Sequence, residues 1–116
     1  MEVQTKEIDY YETEGGTCPF RNWLLSLRDK EGRRKIRVRI DRVALGNIGY
    51  CESVGEGVLE LKIDFGPGYR VYFALAGKKL VLLLTGGDKS SQKRDIKTAH
   101  EYWADYRRRY DKNWKK

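Results

Sequence analysis

Residues 80–84 read Leu-Val-Leu-Leu-Leu, apolar at every position. A run this short cannot make an independent helix. As a strand it exposes apolar side chains on both faces, so it must lie inside a sheet that is covered on both sides. The two segments before it alternate instead. In VLELKIDF (58–65) the odd positions Leu59, Leu61, Ile63 and Phe65 are apolar, while Glu60, Lys62 and Asp64 are not. YRVYFALA (69–76) repeats the period, with Tyr69, Val71, Phe73 and Leu75 on one side and Arg70 and Tyr72 on the other. Period two is the mark of a half-buried strand. Gly66-Pro67-Gly68 and Gly77-Lys78 separate the three segments, and these turns predict a three-stranded antiparallel meander with its last strand central.

The rest of the chain supplies the covers. Residues 3–10 predict a weak N-terminal strand, closed by a turn at Glu14-Gly15-Gly16. Pro19 opens a short helix that puts Phe20, Trp23, Leu24 and Leu27 on one face. Asp29 then caps a second helix over residues 30–46, with Ile36, Ile40 and Val43 in a stripe and Gly46-Asn47 as its stop. The two helices form an antiparallel hairpin against one sheet face, leaving something partial for the other. Val38 and Leu45 fall on the far side of the second helix, either as packing or as a groove for a partner. A final basic helix carries Ile96, Ala99, Trp103, Tyr106 and Tyr110 at steps of three and four. The expectation is a single α+β domain over residues 1–116: N-terminal strand, antiparallel helix hairpin, three-stranded antiparallel meander, C-terminal basic helix.

Charge narrows the partners. The formal net charge is +7, with basic residues dense in 33–42 and 89–116, a field that favours polyanions. The cationic stretch from Thr85 to Trp103 passes through Gly86-Gly87, read as a glycine turn feeding the N-terminus of the last helix, which raises the question of a phosphate loop. It lacks the Walker spacing, because Asp88 separates Gly87 from Lys89, and the dinucleotide pattern is missing too. Cys18 and Cys51 show no metal-ligand spacing and His100 is the only histidine, so no metal or cofactor is expected and the thiols are read as reduced. The acidic, polar N-terminus is unlike a signal peptide and no apolar run approaches membrane length, which predicts a cytoplasmic protein without membrane contact.

The alternation also locates a candidate site. If the odd residues face the helices, Glu60, Lys62, Arg70 and Tyr72 share the opposite face, and the chain leaving the central strand brings Lys89, Lys93 and Arg94 toward it. Lys62 and Glu60 also fit an ordinary exposed cross-strand charge pair. Lys93, Lys97, Arg107, Arg108 and Arg109 lie mostly off the apolar stripe of the last helix, as a solvated face or as a track for an RNA backbone. His100, beside Ile96 and Trp103, reads as a packing or surface histidine before a catalytic one.

Three strings together carry a resemblance that covers nearly the whole chain: LGN (45–47), GVLELKIDFGPGYRVYF (57–73) and LLLTGGDKSSQKRDIKTAHEYW (82–103). With the order of elements, they resemble the RelE/ParE toxin superfamily, in its HigB-like addiction module killer branch. The resemblance implies the toxin of a bacterial type II toxin–antitoxin pair, a metal-independent endoribonuclease that cuts mRNA on the ribosome. It also implies a cognate antitoxin partner of the helix-turn-helix DNA-binding type, covering either the cationic face or Val38 and Leu45. On that reading Arg70 meets the phosphate, Lys62 and Lys89 are candidate proton carriers, and Lys93, Arg94, Lys97 and Tyr72 contact RNA. The family pattern often has Arg where this chain has Lys62, which keeps the charge and loses the bidentate fork. A ParE-like DNA gyrase inhibitor and a non-catalytic nucleic-acid-binding module are the alternatives.

Overall fold

A computed structural model of the chain describes residues 5–48 and 51–111. The order is β1 (Glu7–Tyr10), α1 (Pro19–Ser26), α2 (Lys30–Ala44), β2 (Cys51–Ser53), β3 (Val58–Ile63), β4 (Tyr69–Ala76), β5 (Leu80–Gly87), a single 3₁₀ turn (Lys89–Ser91) and α3 (Gln92–Tyr110). This is the expected α+β arrangement. Residues 3 and 4 of the N-terminal strand read from the sequence lie outside the described residues.

The five strands form one sheet in the order β1-β5-β4-β3-β2. β1 pairs in parallel with β5, and the other neighbours are antiparallel. The wholly apolar β5 is therefore interior. Its two faces pack into two separate cores. On one, Val81 and Leu83 join Val71, Phe73, Leu61 and Ile63 beneath Phe20 and Leu24 of α1 and Ile36, Ile40 and Val43 of α2. On the other, Leu82 and Leu84 join Val58, Tyr72, Ala74, Tyr11 and Ala99 of α3, with Trp103 and Tyr106 packed alongside. The cover read as partial is thus a 19-residue helix.

Helix boundaries follow local chemistry. Pro19 stands in the first turn of α1, where its missing N–H costs nothing. At the start of α2, Asp29 Oδ1 accepts from the Gly32 amide at 2.9 Å. At its end Gly46, with φ 99°, lets the Gly46 and Asn47 amides reach the Val43 and Arg42 carbonyls, each at 2.9 Å, the paired closure that a left-handed residue permits.

Two features depart from the sequence reading. β2 is an additional edge strand, pairing Cys51 with Leu61 and Ser53 with Leu59. Gly86 and Gly87 form no turn: they continue β5, opposite Val71 and Arg70, beyond a bulge at which β5 has Leu84 in excess. Neither has positive φ. They are small because neighbours press on them, the Trp23 ring on Gly86 and the Asp95 carboxylate with the Ser91 hydroxyl on Gly87.

Candidate active site: a cationic cleft at one end of the sheet

The register places Lys62 directly opposite Arg70, and Glu60 opposite Tyr72, so these four share the α3 side of the sheet as the alternation predicts. Their environments then diverge. Lys62, near the end of β3, is half exposed and its ammonium lies 3.7 Å from the Glu52 carboxylate on β2. Glu60 and Tyr72, one pair further in, lie under α3 and are 1 % and 0 % exposed. Burial corrects two readings. Glu60 does not belong to an exposed charge pair, and Tyr72 offers no ring surface to RNA, since its side chain is sealed in the second core and its hydroxyl is engaged inside the protein.

Arg70 occupies the boundary between these regimes. Its side chain is nine-tenths buried, with Nε 3.7 Å from Glu60 Oε2. Nη1 donates to the Gly68 carbonyl at 2.8 Å, and Nε has no hydrogen-bond partner. Gly68, at φ 79°, closes the turn before β4, and a Cβ there would stand 3.3 Å from Arg70 Nη1 and 3.5 Å from the Lys89 Cβ. Lys89 opens the 3₁₀ turn, whose first amides are held by Asp88: its Oδ1 accepts from Ser90 N at 2.9 Å, and its own amide donates to the Ser91 hydroxyl at 3.3 Å. The Ser90 hydroxyl, more than any other neighbour, holds the Asp88 carboxyl below the usual carboxylate range, with Arg70 a lesser cause.

α2 closes the cleft from its other side. Besides capping the helix, Asp29 accepts from the Tyr69 hydroxyl at 2.9 Å through Oδ2, tying the start of α2 to the start of β4. Both bonds, that of Gly32 first, hold its carboxyl below the ordinary value. Further along α2, Arg39 Nη1 donates to the Lys62 carbonyl at 3.1 Å.

The result is a cleft of about 620 Å³ lined by Arg39, Glu52, Lys62, Ile63, Asp64, Gly68, Tyr69, Arg70 and Lys89. The three residues read as catalytic, Arg70, Lys62 and Lys89, line it together, from β4, β3 and the 3₁₀ turn. Four cations against two carboxylates, one guanidinium fixed by its surroundings, suit an anionic ligand with planar or tetrahedral oxygens. Sequence reasoning missed Arg39, although it stands on the border of the Ile36–Ile40–Val43 stripe and so points along the helix toward the sheet. It also missed Glu52, because β2 itself was not foreseen.

The remaining expected site residues are elsewhere. Lys93, Arg94 and Lys97 are exposed on α3 and do not line the cleft; Arg94 Nε lies 3.6 Å from Asp95. His100 is a packing residue, its Nε2 donating to the Val54 carbonyl at 2.9 Å beside the β2–β3 turn. Val38 and Leu45 are both exposed, Leu45 by 59 %. Val38 lines a second depression of about 300 Å³ with Arg34, Lys35, Arg39, Arg42, Ile63, Asp64 and Phe65, and Leu45 lies outside it. Both cysteines are free thiols. Among the described residues no group of histidine, cysteine or acidic side chains is placed to hold a metal ion, and no helix is long and apolar enough to cross a membrane.

The profile of a family described as "Phage derived protein Gp49-like (DUF891)" matches residues 22–104, from α1 through most of α3 and so across every cleft residue. A Haemophilus influenzae protein described as uncharacterized is 48 % identical over 83 residues, which is 72 % of this chain and 84 % of that protein.

Proposed function

Because the chain belongs to the phage-derived Gp49-like family, and its strings also resemble the HigB-like branch of the RelE/ParE superfamily, we propose that it is the toxin of a toxin–antitoxin pair acting as a ribosome-dependent mRNA endonuclease. The observation that carries this reading is the convergence of Arg70, Lys62 and Lys89, from three separate elements, on one cleft.

RNA needs little from such a site. Its 2′-hydroxyl is the nucleophile: the 2′-O–P bond forms, the P–O5′ bond breaks, and the products are a 2′,3′-cyclic phosphate and a 5′-hydroxyl. The protein must stabilise charge on the phosphoryl oxygens, take the 2′ proton and return one to O5′. Arg70 is suited to the first task because its fork is held before the ligand arrives, and fixed charges need no reorganisation as the transition state forms. Lys62 and Lys89 flank it and are the candidate proton carriers. Lys93, Arg94 and Lys97 on the open face of α3 would hold flanking backbone through charge alone. A ribosome that pre-aligns the message supplies orientation the cleft lacks. The partner antitoxin is expected on Val38 and Leu45, apolar side chains left exposed among the arginines of α2.

The test is primer extension on a defined mRNA with purified ribosomes. Cuts that need both protein and ribosomes, and that disappear in a folded variant lacking the Arg70 guanidinium, support the proposal. Gyrase-dependent DNA breaks without mRNA cuts would replace it with a ParE-like activity, and binding to RNA without cleavage with a non-catalytic one.

A further inference from the structure

Glu60 is the most deeply buried charged side chain among the described residues, and the reaction above does not use it. A carboxylate survives in such a place only when it is hydrogen-bonded and paired. All its contacts converge on one oxygen. Oε2 accepts from the Tyr72 hydroxyl at 2.9 Å and from Gln92 Nε2 at 2.9 Å, and lies 3.7 Å from Arg70 Nε. The donors come from β4 and from the first residue of α3, so the carboxylate is fixed from two elements at once. Tyr72 stays a donor throughout the ordinary pH range, because burial first, and the neighbouring carboxylate second, push its hydroxyl far up.

The outer side of this hub is the cleft. Arg70 has Glu60 behind its Nε and the Gly68 carbonyl at Nη1, which fixes the plane of the guanidinium from two directions. With Nε itself sealed from solvent and lacking a hydrogen bond, the fork is steered toward Glu60 by charge alone and remains sensitive to where that charge sits. We propose that Glu60, held by Tyr72 and Gln92, is the positioning residue of the cleft: it sets the orientation in which Arg70 meets a phosphate oxygen. The inference rests on the proposed function for the identity of the ligand, and on geometry alone for control of Arg70. It gives Tyr72 a role through Glu60, in place of the direct RNA contact read from the sequence.

Three variants separate positioning from support. Glu60→Gln keeps the shape and removes the charge. Tyr72→Phe and Gln92→Met each remove one donor, and Gln92, only half buried, is the one least able to disturb the fold. The readouts are the NMR signal of the Arg70 Nε–H group, the affinity for a short oligoribonucleotide carrying a 2′-deoxy sugar at the scissile position, and kcat against KM in the ribosomal assay. The expected result in Gln92→Met is a shifted or broadened Arg70 signal and a kcat lower by about 10- to 100-fold at nearly unchanged KM, the cost of a catalytic group misplaced by about an ångström. Glu60→Gln, where it folds, should show the larger effect. An Arg70 signal and kcat identical to wild type in folded Gln92→Met and Glu60→Gln overturn the inference, whatever happens to the melting temperature. If the protein cuts no RNA at all, the proposed function falls, while the Arg70 signal still decides whether Glu60 positions the guanidinium.

Discussion

Replacing Arg70 by alanine should damage stability and chemistry together, and the two can be separated. The guanidinium is nine-tenths buried and faces a carboxylate that is 1 % exposed. Removing one member of a buried ion pair typically costs about 3–5 kcal/mol, because the other charge is left uncompensated. Two observations place this site at or below the lower end. The 3.7 Å separation exceeds the roughly 2.8 Å of a charge-assisted hydrogen bond, and Glu60 keeps its bonds from Tyr72 and Gln92. A loss of about 2–3 kcal/mol follows, and at about 4 °C per kcal/mol the melting temperature falls by roughly 8–12 °C. Loss of cleavage in Arg70→Ala alone is therefore ambiguous. The double variant Arg70→Met with Glu60→Gln removes both charges while preserving volume, which should return stability to within about 1 kcal/mol of wild type. Cleavage should stay depressed by about 10²–10³, the usual effect of losing a fixed donor to a developing oxyanion. Urea unfolding of wild type, Arg70→Met, Glu60→Gln and the double variant gives the coupling energy, and ribosomal primer extension gives the rate. A double variant as unstable as Arg70→Ala would refute the pair as the source of the loss. Near-normal cleavage by it would refute Arg70 as the phosphate-binding residue.

Gly86→Ala should destabilise by about 3 kcal/mol, the upper part of the range for overpacking, since the new Cβ overlaps the Trp23 ring; combining it with Trp23→Leu should recover part of the loss in chemical unfolding, whereas additive losses would exclude the clash. The Tyr11 hydroxyl, which donates to Asp105 at 2.6 Å, is pushed up to about 12, mainly by burial and then by the Asp105 carboxylate. A raised folded value means the stabilisation is complete below pH 10 and disappears as pH rises toward 12, so Tyr11→Phe should flatten that part of the pH–melting curve; an unchanged alkaline limb would contradict it. Leu45→Lys replaces a side chain that is 59 % exposed. It should leave the melting temperature nearly unaltered while weakening capture by a co-expressed antitoxin, and undiminished binding in pull-down would remove Leu45 from the interface.

The sequence by itself determined the three strands of the meander and their facing. Alternation over 58–65 and 69–76 and the unbroken run at 80–84 leave few arrangements, because a shift of one residue would turn every apolar side chain to the wrong face. Capping chemistry at Asp29 and Gly46 is equally local, and was legible for the same reason. Alternation also put Lys62 and Arg70 on one face, while their standing directly opposite each other is a matter of the register in the folded sheet. Tertiary structure decided which side of that polar face is wet. The fate of Glu60 and Tyr72 depends on where α3 lies, and nothing within residues 58–76 encodes the path of a helix that starts at residue 92. The same holds for Gly86 and Gly87: glycine signals a turn or a close approach equally well, and only the Trp23 ring and the Asp95 carboxylate, distant in sequence, select the second. Arg39 and Glu52 join the cleft by the same logic. Their elements are specified locally, but a cleft exists only where separate elements meet, and that meeting is fixed by the packing of both faces of β5.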